Sequence, residues 1–94
     1  MKITGILWLE DIVEKLIRKH KVEKEEVKET LQNHPLFRFV EKGHLKGENV
    51  YAAFGQTETG RYLVVYFVHK KANQALILSA RDMTLTERRK YEKR

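Results

Sequence analysis

The sequence contains no cysteine, one proline and five glycines among its 94 residues. Without cysteine the chain has neither disulfide bonds nor thiolate metal ligands, which favours a cytoplasmic location. The few glycines and prolines, with no low-complexity run and no internal repeat, predict a chain that is mostly ordered. This length favours a single domain, residues 1–94, with a small margin of stability.

Long apolar runs are also missing. No apolar stretch approaches the roughly 18 residues that a membrane-spanning helix requires. The amino terminus, MKITGILWLEDIV, has one lysine before its apolar stretch and then enters an acidic helical pattern. It also lacks the small-residue cleavage site of a signal peptide. We therefore expect neither a membrane protein nor a cleaved leader.

The motifs of metal and nucleotide chemistry are absent as well. No cysteine or carboxylate cluster accompanies the histidines, and their spacing is not that of metal ligands. The chain has no Walker loop, no G-x-G-x-x-G and no G-x-S-x-G elbow. We expect no cofactor and no metal site. The four histidines are His20, His34, His44 and His69.

What the sequence does have is positive charge, with a formal net charge of +6. Residues 1–35 hold seven acidic and seven basic side chains, so the whole excess lies in residues 36–94, with twelve basic and six acidic ones. A one-sided positive field suits a polyanion or an acidic protein partner. Solubility is the alternative explanation, since basic small domains are common.

Hydrophobic periodicity predicts an α+β fold. Two amino-terminal helices, at about 10–20 and 23–33, precede a mainly antiparallel sheet of about four strands, and Pro35 ends the second helix. A carboxy-terminal helix begins at Thr84, because Thr84 and Glu87 have the capping-box spacing. An opening strand around Ile3 to Leu7 is weakly indicated. The four expected strands are Leu36 to Glu41, Asn49 to Gln56, Arg61 to His69 and Asn73 to Arg81.

The remaining polar side chains form a metal-free set of Arg, Lys, His, Glu and Tyr, which is suited to RNA cleavage. The 2′-hydroxyl of RNA is an internal nucleophile, so such an enzyme needs only cations around the phosphate and groups that move two protons. If Gln56 pairs with Arg61 and His69 pairs with Gln74 across the next turn, Arg81 lies opposite Tyr62. His69 then lies about 26 Å from Arg61, at the other end of the sheet.

Each of these residues also has a structural explanation. Arg81 can close its strand by pairing with Asp82 or a backbone carbonyl, and Glu87 can serve only as a cap. Tyr91 is suited to anchoring the last helix on the core. The same reasoning assigns His20 to a helix terminus, His69 to a solvated strand end, and Trp8 and Tyr66 to the core.

Several short motifs together resemble the BrnT toxins, the ribonuclease half of a type II toxin–antitoxin pair. The carboxy-terminal motif is an apolar strand, Ser-Ala-Arg, a polar turn, Glu-Arg and a Tyr. Gly-Glu and Gly-Arg pairs and an early Lys-His block also match. The chain departs from the family pattern at Leu9, Ile12, Leu16 and Lys21. The matching residues are Lys19, His20, Val22, Gly47, Glu48, Gly60, Arg61, Ser79, Ala80, Arg81, Glu87, Arg88 and Tyr91.

The resemblance implies a RelE-like fold, RNA cleavage that stops translation, and a BrnA-like antitoxin. It implies that operator DNA is reached only through the antitoxin, and it allows a toxin–antitoxin heterotetramer. Arg81 would stabilise the transition state, with Arg88 as a second cation and Tyr91 as an orienting group or proton donor. His20 and His69 are the acid/base candidates. The expected RNA-binding residues are Arg61, Lys70, Lys71, Arg89 and Lys90.

Two other interpretations stay open at this point. The departures from the family pattern favour a non-catalytic member that binds nucleic acid or a partner without cleaving. A plain interaction module would explain the charge as solubility.

Overall fold

A computed structural model of the protein describes every residue from Met1 to Arg94. Three α-helices and a five-stranded sheet confirm the expected α+β class. The strands are β1 (Gly5–Leu7), β2 (Leu36–Glu41), β3 (Val50–Gln56), β4 (Tyr62–Lys70) and β5 (Gln74–Asp82). The helices are α1 (Glu10–Lys15), which continues as a π-helical turn (Leu16–His20), α2 (Lys24–Gln32) and α3 (Leu85–Glu92).

The sheet has the strand order β1-β5-β4-β3-β2, and every pair is antiparallel except β1 with β5. The weakly indicated opening strand therefore exists, which makes five strands where about four were expected. β1 has only three residues, too few to give a clear alternation in the sequence. Its parallel pairing with β5 is a long-range contact that no local pattern encodes.

The register differs from the expected one in three places. Gln56 pairs with Tyr62 and not with Arg61, because Arg61 belongs to the turn, where its carbonyl accepts from the Thr57 N–H at 2.9 Å. In β5, Leu78 forms a β-bulge, which adds one residue to that strand. At the turn before β5, His69 pairs with Ala75 and not with Gln74, which shifts the register by one more residue. The turn and the bulge together place Arg81 opposite Val64 and not opposite Tyr62.

The two sides of the sheet bury different side chains. One side, which we call the core face, packs against α1, the π-helical turn and α2. Leu63, Val65 and Phe67 of β4 and Ala75, Ile77 and Ala80 of β5 belong to this core, together with Leu16, Val22, Val27 and Leu31. Close packing of α2 on β3 depends on Gly55, where an added Cβ would lie 3.0 Å from the carbonyl oxygen of Thr30.

The opposite side, which we call the α3 face, carries α3 at one end. Two rows of paired residues cross it. One row runs from Leu36 through Phe54 and Val64 to Arg81, and the other from Arg38 through Ala52 and Tyr66 to Ser79. The bulge at Leu78 lets both Ile77 and Ala80 face the core, and therefore places Ser79 and Arg81 on the α3 face.

The departures from the family pattern have structural consequences near α1. Leu16 is buried and Ile12 packs against the core, so both apolar side chains contribute to packing. Leu9 stays 45% exposed. Lys21 adopts a left-handed conformation with φ 55°, a geometry that glycine adopts without strain. None of the three helices has the length and hydrophobicity needed to span a membrane.

Candidate active site on the α3 face

The α3 helix begins with the capping box that the sequence predicts. The Thr84 hydroxyl accepts from the Glu87 backbone N–H at 3.1 Å, and Glu87 Oε1 accepts from the Thr84 N–H at 2.8 Å. These two bonds satisfy otherwise free donors of the first helical turn. They also hold the Glu87 carboxylate over the end of β5.

Arg81 projects from β5 toward this carboxylate. Its Nη1 donates to Glu87 Oε1 at 2.8 Å and its Nη2 donates to Oε2 at 3.0 Å, so the pair is bidentate. Nη1 also donates to the Asp82 carbonyl, and Nη2 to the Tyr66 hydroxyl at 3.1 Å. The Arg81 Nε–H makes no hydrogen bond. The expected contact with a backbone carbonyl is thus confirmed, but the main partner of Arg81 is Glu87.

The pair shifts the pKa of both members. The hydrogen bonds from Arg81, helped by the Thr84 N–H and opposed by partial burial, lower the pKa of Glu87 to about 2. The same contact raises the pKa of the Arg81 guanidinium above its ordinary value. Glu87 is therefore a weak base at neutral pH, and its geometry is that of a cap and an orienting group.

Tyr66 is the neighbour of Arg81 that the sequence interpretation missed. The ring was assigned to the core, but the side chain is half-buried on the α3 face and the Arg81 guanidinium carbon lies 5.7 Å from its centre. Because the hydroxyl oxygen accepts from Arg81, its own proton is available for donation. The period-2 alternation of Tyr62, Val64 and Tyr66 could have placed it on this face, but only the correct register places it beside Arg81.

Arg88 and Tyr91 lie at the same end of the α3 face, where both contact Tyr62. Arg88 stacks over the ring of Tyr62, with its guanidinium carbon 4.0 Å from the ring centre, and its side chain is half-exposed. Tyr91 is only 4% exposed and packs edge-to-face on Tyr62. Tyr91 thus has the geometry of the anchor that holds α3 on the sheet.

Arg61 lies on the core face, away from this group. Its Nε donates to Asp82, its Nη1 to Glu26 and to the carbonyl of Lys21, and its Nη2 to Asp82 and to the carbonyl of His20, at 2.7 to 3.2 Å. All five N–H groups of the guanidinium are therefore used. The hydrogen bonds to Asp82 raise the pKa of Arg61 and lower that of Asp82. Arg61 joins the π-helical turn, α2 and β5.

The two acid/base candidates also lie on the core face. His20 ends the π-helical turn and interacts electrostatically with Asp82. His69 pairs with Ala75, five residues along β4 from Val64, which corresponds to about 16 Å. Its Nε2 is buried without a hydrogen-bond partner, and its ring packs against Tyr51. Neither imidazole joins Arg81.

The other four expected RNA-binding residues are divided between the two ends of the sheet. Lys70 forms an ion pair with Glu48 at 3.1 Å, and Lys71 is exposed in the tight turn before β5. Arg89 and Lys90 are exposed on α3, without ion pairs. Only the latter two belong to α3, the helix whose Glu87 contacts Arg81.

Arg38 is a further cation near α3 that the sequence interpretation did not assign. With Leu36, Phe54, Glu87, Lys90 and Tyr91 it lines a groove of about 210 Å³ between β2 and α3. No local pattern marks Arg38, because its neighbours in the groove come from β3 and α3. No three His, Cys, Asp or Glu side chains are grouped closely enough to hold a metal ion.

The fold and this site define a small, basic α+β protein with an arginine–glutamate pair beside a cationic groove. Comparison with protein families identifies the family to which it belongs. The family described as the ribonuclease toxin BrnT of type II toxin–antitoxin systems matches residues 8–87. The match covers most of the chain, so the protein belongs to the BrnT family, as the motifs indicated. A search of the curated proteins found no match.

Proposed function

We propose that the protein is an endoribonuclease that cleaves RNA without a metal ion at the Arg81 end of the α3 face. Membership of a ribonuclease toxin family supports the activity. The single observation that supports the location is the bidentate Arg81–Glu87 pair, which fixes a cation whose Nε–H is free beside the Tyr66 hydroxyl. A preorganised cation of this kind stabilises charge that develops on a phosphate.

In the proposed reaction the RNA 2′-oxygen attacks the adjacent phosphorus. The O2′–P bond forms and the P–O5′ bond breaks, which leaves a 2′,3′-cyclic phosphate and a 5′-hydroxyl. Arg81 stabilises the extra negative charge, and Arg88 is the second cation. The Tyr66 hydroxyl delivers a proton to the leaving O5′ and regains one from solvent.

The proton of the 2′-hydroxyl passes to solvent water in this scheme. Glu87, with a pKa of about 2, is too weak a base near neutral pH, and it is engaged by Arg81. The histidines expected to act as acid and base, His20 and His69, belong to the core face. Tyr91, the other expected proton donor, is buried under α3. These positions favour Tyr66 as the donor.

A type II toxin family implies an antitoxin partner. We propose that this partner is BrnA-like, that its acidic segment covers the α3 face, and that operator DNA is contacted only through it. Cleavage of RNA would then inhibit translation until the antitoxin binds. A RelE-like arrangement of the fold and a toxin–antitoxin heterotetramer are parts of the same proposal.

Expression of the chain with and without a co-expressed antitoxin tests the proposed toxicity and its neutralisation. Arrested growth that the antitoxin rescues supports the proposal, and normal growth at confirmed soluble expression contradicts it. Purified protein tests the chemistry, since cleavage of single-stranded RNA should persist in the presence of a chelator. Activity that a chelator removes and a divalent ion restores would contradict the metal-free scheme.

One observation favours a second candidate, a non-catalytic family member that only binds RNA or a partner. Four of the five Arg81 N–H groups already have partners in the protein, which leaves one for a phosphate. RNA that is bound tightly but never cleaved, by protein that melts cooperatively, would support this candidate over the nuclease.

A further inference from the structure

The groove between β2 and α3 suggests how the α3 face selects its RNA. It lies beside the Arg81–Glu87 pair, because Glu87 forms part of its wall. Phe54 of the floor and Arg81 belong to the same row across the sheet, two strands apart, which corresponds to about 10 Å. A nucleotide next to a phosphate at Arg81 would therefore reach the groove.

We propose that this groove is a nucleobase-binding subsite, and that it prefers guanine. The inference rests on the proposed function, since it needs single-stranded RNA on the α3 face. Phe54 and Leu36 are the half-buried apolar residues of the groove, and the buried Tyr91 lies beneath them; an aromatic ring such as that of Phe54 accepts the face of a base. The volume of about 210 Å³ suits one base.

The rim of the groove carries the hydrogen-bond donors for the edge of the base. Arg38 of β2 and Lys90 of α3 line it, and neither forms an ion pair with any carboxylate. Arg and Lys are the side chains that read the O6 and N7 acceptors of guanine, an acceptor pair that adenine and the pyrimidines lack. Glu87 Oε2 accepts one hydrogen bond, from Arg81, and its second lone pair can accept from one N–H on the other edge of guanine. This combination of donors and acceptor selects guanine.

Positive charge also favours RNA over an apolar peptide as the occupant. Two cations without carboxylate partners at the rim of an apolar floor suit a base joined to a phosphodiester chain. The acidic segment proposed for the antitoxin could pair with Arg38 and Lys90, but its carboxylates would leave the apolar residues of the groove without a partner. The antitoxin is therefore the competing outcome of the test.

The test uses binding of short single-stranded RNAs whose 2′-hydroxyls are methylated, so that the result does not depend on cleavage. Four oligonucleotides differ only at one central position, which carries guanine, adenine, cytosine or uracil. The rest of each sequence contains neither uridine nor guanine. The wild-type protein is compared with the double variant Arg38→Ala/Lys90→Ala. The control, Lys15→Ala/Arg18→Ala, removes the same charges from exposed positions of α1 and the π-helical turn. Melting curves verify the folding of both variants.

We expect the wild type and the control to bind the guanine oligonucleotide at least tenfold more tightly than the others. The Arg38/Lys90 variant should lose this preference while it still binds RNA. Equal affinity for all four bases, or a preference that survives in the double variant, would overturn the inference. Unchanged RNA affinity together with weaker binding of the purified antitoxin would assign the groove to the antitoxin. A guanine preference in a protein that never cleaves RNA would retain the subsite and reject the nuclease.

Discussion

Arg81 and Glu87 form a bidentate ion pair, with Nη1–Oε1 and Nη2–Oε2 distances of 2.8 and 3.0 Å, and Glu87 also caps α3. The first turn of the helix and the end of β5 are thereby joined through one carboxylate. This arrangement fixes the plane of the Arg81 guanidinium relative to Tyr66. The helix cap is thus part of the candidate site, and changes to either residue have separable effects on cleavage and on folding.

Arg81→Lys tests whether the site needs a planar fork or only a charge. Lysine keeps the charge but cannot contact Glu87, Tyr66 and a phosphate oxygen at the same time, as the planar guanidinium can, so we expect Arg81→Lys to be almost as impaired as Arg81→Ala. The loss should be about 2–4 kcal/mol of barrier, the effect of removing one preorganised donor. RNA binding should weaken less, because Arg89 and Lys90 still attract the backbone. Single-turnover cleavage and RNA binding, measured on both variants, distinguish the planar fork from the charge. Normal cleavage by Arg81→Ala would make Arg81 a purely structural residue.

Glu87→Gln separates capping from chemistry. Glutamine keeps an oxygen for the Thr84 N–H and for one N–H of Arg81, so we expect most of the cleavage activity to remain. Glu87→Ala removes the cap as well as the ion pair, and should lower the free energy of unfolding by about 2–3 kcal/mol. Activity assays beside chemical denaturation separate the two effects. If Glu87→Gln melts like the wild type but does not cleave, Glu87 has a direct catalytic role.

The same pair predicts a loss of stability in acid. The ordinary pKa of Glu87 is 4.5 and Arg81 lowers it to about 2 in the folded protein. Because the folded pKa is the lower one, the contribution is complete above about pH 4.5 and is lost as the pH falls toward 2. Both side chains are partly exposed, so the contribution is about 1–2 kcal/mol after solvent screening. Denaturation curves between pH 6 and pH 2 should show a shallower decline for Glu87→Gln, and parallel curves would contradict the assignment.

Arg61 should be required for folding more than for RNA binding. Arg61→Ala leaves Glu26, Asp82 and two backbone carbonyls without their donor, and should lower the free energy of unfolding by about 2–4 kcal/mol. Arg61→Lys should recover only part of this, because an ammonium cannot reach all the acceptors. Chemical denaturation measures the loss of stability, and RNA binding is measured on the same variants below their melting temperatures. Weak RNA binding by a variant of unchanged stability would restore the original RNA-binding assignment.

Lys21→Gly should stabilise the protein. Lys21 has a left-handed backbone with φ 55°, which costs a residue with a Cβ more than it costs glycine. We expect a gain of about 0.5–1 kcal/mol, with the Lys21 carbonyl still accepting from Arg61. Lys28→Gly within α2 is the matched control and should lose about 1 kcal/mol. A loss of stability in Lys21→Gly would indicate that the lysine side chain contributes more than the backbone strain costs.

Local features of the chain were predictable because they depend on neighbours in the sequence. Apolar spacing predicted both amino-terminal helices, although the end of the first is a π-helical turn. Alternation and turn residues predicted β2 to β5 to within one residue at each end. The capping box of Thr84 and Glu87 was identified from two residues three apart, since that interaction is complete within one helical turn. The family motifs, too, were readable as a linear pattern.

What the sequence by itself determined was therefore the α+β class, the helix cap and the family. Tertiary structure alone decided which side chains meet. One bulge at Leu78 shifts the register of β5, so that Arg81 faces Glu87 and Tyr66 on the α3 face. Arg61, close to Arg81 in the expected register, instead binds Glu26 and Asp82 on the core face. The physical reason is that side chains alternate between faces every residue, so a single extra residue exchanges the face of everything beyond it, and only long-range packing places that residue.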